Sequence, residues 1–243
     1  KDEEYINNHY VIMATKKGQV KKTPLEQYSR PRTNGINAIT IKEGDELLEA
    51  KLTTGNSQVM LAVKSGKAIR FEEEKTRPMG RNASGVRGIR LANDNDEVVG
   101  MVAVNDMESN ILVVSENGYG KRSSLEDYRI TNRGGKGVKT ISVTDKTGEL
   151  VAIKNVTDED GLMIINKSGI AIRMAVSDLR VMGRATQGVR LINIKGKDSI
   201  AAVAKVRNEQ EDEDVIEDAE NMDDPENGTA VDMDNNSDQE SQE

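Results

Sequence analysis

Four copies of one pattern recur about fifty residues apart, a period that favours a repeat architecture over two unrelated domains. Each copy joins an apolar run, a glycine turn and a basic residue four positions on: Gly18 with Lys22, Gly66 with Arg70, Gly118 with Arg122 and Gly169 with Arg173. A second glycine follows at Gly35, Gly85, Gly137 and Gly188, each leading into Ile36, Val86, Val138 or Val189. Backbone geometry alone accounts for turn glycines. A cation recurring in step with the turn is not something folding is expected to demand, so the pattern predicts solvent-facing charges that meet an extended anionic partner.

The local chemistry is that of short antiparallel strands. Val11-Ile12-Met13, Val59-Met60-Leu61, Ile111 to Val114 and Leu162 to Ile165 are β-forming runs, and Lys17-Gly18, Ser65-Gly66, Asn117-Gly118 and Ser168-Gly169 read as two-residue hairpin turns. A further strand is expected after the second glycine, with apolar positions such as Val138, Ile141 and Val143. A last strand closes each unit at Leu47 to Leu52, Val98 to Val104, Leu150 to Val156 and Ile200 to Val206. Four strands per fifty residues fit the blade of an all-β, propeller-like fold. The expected blades run over residues 10–57, 58–109, 110–160 and 161–206 of a domain spanning 1–207. The absence of tryptophan disfavours WD40 and kelch propellers. Little helix is expected beyond short turns at Pro24 to Tyr28 and Ser124 to Tyr128.

The net charge of -8 conceals a segregation of sign. Residues 208–243 hold 16 acids and no lysine or arginine, leaving 26 acids (42 less 16) against 34 bases in residues 1–207, a net of +8. A cationic body of this kind suits nucleic acid. The tail has too few large apolar residues to offset its ordering entropy and is expected to be disordered, either as a solubilising segment or as a competitor for the basic surface. There is no cysteine, and His9 is the single histidine, so His/Cys metal clusters and Cys-His pairs are excluded. No apolar run nears the roughly 18 residues that would span a bilayer, and a cytoplasmic protein is expected. A repeat begins soon after the opening Lys1, which predicts a piece of a longer chain.

Candidate contacts to an anionic partner follow from the register. On the hairpins they are Lys21, Lys22, Arg70, Lys121, Arg122 and Arg173. Before the second glycine stand Arg32, Arg81, Arg133 and Arg184, and after it Arg87, Lys139 and Arg190, with Asn37 the exception. The sharpest element is Thr131-Asn132-Arg133-Gly134-Gly135-Lys136-Gly137, whose three glycines would let the backbone approach a phosphate while Arg133 and Lys136 supply charge. It is not a P-loop, because Gly137 follows Lys136 where Ser or Thr would be required.

This glycine-rich element matches five of seven positions of the Gln-Arg-Arg-Gly-Gly-Lys-Gly box of bacterial DNA gyrase A, and the repeats from Tyr10 to Val206 resemble the β-pinwheel of the gyrase A C-terminal domain. The resemblance implies a disc whose blades exchange a strand with their neighbours and which bends duplex DNA around a basic rim to support negative supercoiling. It also implies a six-bladed domain of which four blades are present, association with the rest of gyrase A and with gyrase B in an A2B2 heterotetramer, and ATP and magnesium used elsewhere in that assembly. Neither the cleavage tyrosine nor the ATPase site is expected on this chain, which carries no cofactor and no catalysis of its own. Thr131 and Asn132 depart from the box, and it sits on the third repeat rather than the first, so it reads as a secondary copy.

Wrapping needs contacts distributed along a path, since bending 20 to 30 bp by 40 to 90° costs about 1 to 6 kcal/mol. Aromatic residues make up 2% of the chain, which leaves few platforms for stacking single-stranded bases and favours the duplex backbone as target. The alternatives are the corresponding C-terminal domain of topoisomerase IV, a protein-binding scaffold, and a carboxylate enzyme using Asp94, Asp96 and Glu97 or Asp158, Glu159 and Asp160. Those carboxylates fall at predicted turns and do not recur between repeats.

Overall fold

The computed structural model describes residues 2–194, Gly196 and residues 198–207. The acidic tail, with the disorder and the competition expected of it, lies outside the described residues. The first repeat supplies β1 (Tyr10–Thr15), β2 (Gln19–Pro24) and β3 (Leu47–Thr53). The second supplies β4 (Gln58–Val63), β5 (Lys67–Glu72), β6 (Val86–Arg87) and β7 (Val98–Val104). The third follows with β8 (Asn110–Ser115), β9 (Tyr119–Ser124), β10 (Val138–Lys139) and β11 (Leu150–Val156). The fourth adds β12 (Asp160–Asn166), β13 (Ala171–Ala175), β14 (Val189–Arg190) and β15 (Ile200–Arg207).

Blades and repeats do not coincide. The antiparallel sheets run β3-β1-β2-β6, β10-β5-β4-β7 and β11-β8-β9-β14, so each outer strand comes from the following repeat. Among the described residues the fourth sheet has three strands, β13-β12-β15, in place of the four expected. The exchanged strand is short: Val86 pairs with Val20, Val138 with Ala68 and Val189 with Gly120. Each ladder then continues as a pair of N–H donors to the hairpin glycine, from Gly88 and Ile89 to Gly18 O, from Thr140 and Ile141 to Gly66 O, and from Leu191 and Ile192 to Gly118 O. We call these exchanged segments arms.

The first three hairpins turn through three residues rather than two. Gly18, Gly66 and Gly118 sit at φ of 79 to 82° and donate to Thr15 O, Val63 O and Ser115 O. The left-handed residue belongs to the three-residue hairpin, in which glycine closes a bulge. A register shift recurs between the central and inner strands of every blade, at Ala14/Thr15, Ala62/Val63, Leu150/Ala152 and Ile165/Asn166. Short 3-10 turns lie at Leu25–Tyr28, Glu73–Lys75 and Leu125–Asp127, and a six-residue helix α1 (Glu3–Asn8), capped by Asp2, precedes the first repeat. That helix has no buried residue and hence no periodic apolar face to betray it in the sequence.

Central strands are apolar on both faces because both faces are covered. Val59, Leu61 and Val63 meet Ile12, Ala14 and Val20 of the first blade, whereas Met60 and Ala62 meet Ile111 and Val113 of the third. Leu112 and Val114 turn the other way, onto Leu162 and Ile164 of the fourth. The period of two therefore assigns alternate residues of one strand to two different cores. The closing strands β3, β7, β11 and β15 lie innermost and converge on a cavity of about 470 Å³ lined by residues including Lys51, Val102, Lys154 and Lys205.

The arms are seated by backbone contact that leaves no room for a side chain. A Cβ on Gly85, Gly137 or Gly188 would stand 2.5 Å from the carbonyl oxygen of Val20, Ala68 or Gly120, whereas one on Gly35 meets nothing within 4 Å. All four glycines have φ between 72 and 88°. Gly137→Ala is expected to destabilise the domain by about 3 kcal/mol, combining left-handed strain with displacement of the arm, and Gly35→Ala by about 1 kcal/mol from strain alone. Equilibrium denaturation of the two variants checks this, and equal losses would contradict it.

Candidate nucleic-acid interface

The hairpin cations of the first three repeats do not face solvent. Lys21, Lys22, Arg70, Lys121 and Arg122 are all buried, with Lys21 fully so and Lys121 1% exposed. This corrects the expectation of solvent-facing charges at these positions, and the cause lies in the strand exchange. Lys22, Arg70 and Arg122 each reach the next repeat. Lys22 Nζ donates to Glu73 O at 3.3 Å and lies 3.9 Å from the buried Glu73 carboxylate. Arg70 Nη1 donates to Leu125 O at 2.7 Å and Tyr128 O at 2.9 Å, while its Nε donates to Gln58 Oε1 at 2.7 Å. Arg122 donates to Leu179 O and to Asp158. Tight turns leave carbonyls without backbone partners, and a buried donor that satisfies them fastens one repeat to the next.

Lys21 and Lys121 hold the arms themselves. Lys21 Nζ donates to the carbonyls of Ala38 and Arg81, and Lys121 Nζ donates to Gly183 O at 2.6 Å and Thr186 Oγ1 at 3.2 Å. Burial lowers each ammonium from its ordinary 10.5 to about 8, with the Arg81 charge adding to the effect at Lys21. Two acceptors suit a neutral amine as well as a charged one, since the neutral form still carries two N–H groups.

A second set of arginines runs from arm to arm. Arg81 Nη1 donates to Asn37 O at 3.0 Å, Arg133 Nη1 to Arg87 O at 3.1 Å, and Arg184 Nη1 to Lys139 O at 2.7 Å. Arg133 Nε also donates to Lys75 O and Arg184 Nε to Asp127 O. Each arm is thereby tied to its predecessor at the residue that carries, or in Asn37 replaces, the rim cation. Arg87, Lys139 and Arg190 are exposed and follow one another along this succession of arms. Arg32, Lys136 and Arg173 are exposed as well, Arg173 on β13 of the fourth sheet.

The glycine-rich element serves the same seam. Gly134 N–H donates to Gly88 O at 2.6 Å, and Gly135 O accepts from Arg90 N–H at 2.8 Å. The Gly134 N–H expected to meet a phosphate is thus engaged within the protein, and Gly137 is needed for contact with Ala68. Lys136 keeps the role open to it from the surface. With Lys67 and Arg90 it lines a cavity of about 240 Å³ beside the buried Asp96, whose carboxylate is occupied by Ser65 and by Ala92 N–H. One blade on, Lys146 and Arg190 approach the Tyr119 ring at 5.3 and 5.4 Å, and Arg190 donates to the Tyr119 hydroxyl. Lys67 and Arg90 escape a reading by register because Gln19, Thr40 and other uncharged residues stand at their counterparts.

A family model described as the DNA gyrase C-terminal domain, beta-propeller, matches residues 9–54, 58–105, 109–157 and 162–207. The chain belongs to this gyrase C-terminal domain family. It is 43% identical over 217 residues to the DNA gyrase A protein of Chlamydia pneumoniae, covering 89% of this chain and 26% of that protein. To the DNA gyrase A protein of Staphylococcus aureus it is 45% identical over 214 residues, covering 88% of this chain and 24% of that one. It thus spans about a quarter of the length of these relatives. Among solved structures it superposes on the C-terminal domain of DNA topoisomerase IV with a TM-score of 0.80 at 23% identity, covering 91% of this chain and 69% of that one. A DNA gyrase A C-terminal domain gives 0.73 at 24%, covering 82% and 66%. Both likenesses bear on the fold, and the exchanged arms are the feature through which this gyrase-family domain builds its rim.

The shifted lysines carry a pH signature. Below about pH 8 both folded and unfolded chains hold the Lys121 proton, so the fold bears the full cost of the buried charge; between about 8 and 10.5 only the unfolded chain holds it, so stability rises with pH. Relative to Lys121→Met, the parent's unfolding free energy should grow between about pH 7 and pH 9.5. A difference that is flat or falls over that range would contradict the assignment.

Proposed function

We propose that this domain binds the backbone of duplex DNA along the succession of arms and bends the duplex around it. The observation that carries the reading is the arm-to-arm chain of Arg81, Arg133 and Arg184, which orders the exposed Arg87, Lys139 and Arg190 along one edge of the blades. Lys67, Arg90 and Lys136 add a cluster suited to a phosphate between the second and third repeats. Contacts to phosphate provide affinity through counterion release without reading sequence. The even distribution supports bending, because the elastic cost must be offset along the whole path.

Membership of the gyrase C-terminal domain family supports the larger context. The domain would act as the DNA-wrapping part of gyrase A, joined to the rest of that protein and to gyrase B in an A2B2 assembly that introduces negative supercoils in the bacterial cytoplasm. ATP, magnesium and the cleaving tyrosine would be handled by those other parts. The topoisomerase IV counterpart is the less favoured reading, since the relatives at 43 and 45% identity are gyrase proteins.

Replacing Arg87, Lys139 and Arg190 together by alanine should weaken duplex binding and flatten the dependence of log K on log salt by about 0.9 per cation removed. The buried Lys121→Met should leave that slope unchanged in the folded protein. Ligating a nicked plasmid with the domain bound should leave a linking-number shift of one sign. A scaffold for proteins would give no such shift and little salt dependence.

A further inference from the structure

A second row of arginines runs beside the arms. Arg77, Arg129 and Arg180 each stand five residues beyond the end of a hairpin, which closes at Glu72, Ser124 and Ala175. All three are exposed, and among the described residues no hydrogen bond or ion pair engages their guanidinium groups. Each is followed by an exposed apolar residue, Pro78, Ile130 or Val181, of which Ile130 is 48% and Val181 52% exposed.

Backbone pairing fixes where this row lies. Pro78, Ile130 and Val181 each form one parallel bridge to the outer edge of a hairpin strand, at Lys22, Arg70 and Arg122. The residue after each bridge secures it, with Met79, Thr131 and Met182 N–H donating to the same three carbonyls at 2.7, 2.9 and 2.8 Å. Along those same edges the arm cations Arg87, Lys139 and Arg190 pair with Gln19, Lys67 and Tyr119, three residues away in every case. Three residues of strand span roughly 10 Å. The outer edge of each of these three blades therefore carries two cationic points at one repeated interval.

We propose that the arm cations and the row of Arg77, Arg129 and Arg180 take phosphates on opposite strands of one duplex, so that its minor groove faces the rim at each of these blades. The inference rests on the wrapping reading and adds to it the rotational setting of the duplex. An interval of roughly 10 Å is on the scale of the grooves of B-DNA, about 6 and 12 Å wide. The minor groove is the one favoured, because arginine is drawn to it where it faces inward on a wrapped duplex and to the negative potential of a narrowed groove. The second row is arginine in every instance, whereas the arm row admits Lys139.

Replacing Arg77, Arg129 and Arg180 together by alanine should flatten the dependence of log K on log salt by about 0.9 per arginine. The exposed, unengaged side chains make this variant compatible with folding. Loading an A/T-rich duplex with netropsin, which fills the minor groove, should weaken binding by the parent about tenfold or more, and by the Arg87, Lys139 and Arg190 alanine variant likewise. The second-row variant should lose little further affinity on netropsin-loaded duplex. A duplex whose major groove is filled by glucosylated cytosines should bind the parent as well as plain duplex does. A parent without salt-dependent duplex binding would overturn both this inference and the wrapping reading. A parent that binds duplex, but whose salt slope the second-row variant leaves unmoved or whose netropsin sensitivity that variant fully retains, would overturn the second row alone. Loss of parent binding on the glucosylated duplex would do the same, since it would put the major groove against the rim.

Discussion

A two-residue strand from one repeat, seated on the sheet of the repeat before it, holds this domain together. Val86, Val138 and Val189 contribute few ladder bonds of their own. What makes the exchange secure is the set of groups converging on it: hairpin carbonyls that accept two N–H groups each, glycines that allow backbone to touch backbone, and buried lysines and arginines that gather the carbonyls of the incoming segment. A buried cation is costly unless its donors are satisfied. Here each cation has at least one acceptor in the neighbouring repeat, so it is fully satisfied only when the repeats are properly assembled.

This arrangement divides the basic residues into two populations with different work. Lys21, Lys22, Arg70, Lys121 and Arg122 are engaged inside, on carbonyls and on the two carboxylates of Glu73 and Asp158. Arg81, Arg133 and Arg184 tie arm to arm at Asn37, Arg87 and Lys139, and Arg87, Lys139 and Arg190 stand outside on the arms so joined. The rim is therefore a by-product of the exchange: the device that assembles the blades also lines up the charges that a duplex would follow. The net charge of the chain says nothing of this, because it weighs a buried Lys121 equally with an exposed Lys139.

Much of the fold is legible in the residues. The four β-runs, the turn glycines and the closing strands appear where periodicity puts them, because hydrogen-bonded hairpins are local and their side chains alternate faces. The cation register is visible too, but at Arg70 and Arg122 it carries a different meaning from the one expected. Position in sequence reveals that a charge recurs, and only burial tells whether it recurs for water or for the next repeat. Lys67 and Arg90 escape for the opposite reason, since they are assembled by neighbouring segments and do not recur in register. Asn132 to Gly137 resembles a phosphate loop because glycines that admit a phosphate and glycines that admit another backbone are alike in sequence.

Local pattern and composition are enough to dictate the repeat, the all-β class and a distributed basic character, and the glycine-rich motif carries the resemblance to the family. They leave open which sheet each short strand joins, and so which cations are interior, and that choice is made only when the repeats pack. A segment such as Val138-Lys139 carries no mark of its partner, and its place is settled by the carbonyls, glycines and buried amines that surround it once two repeats have come together.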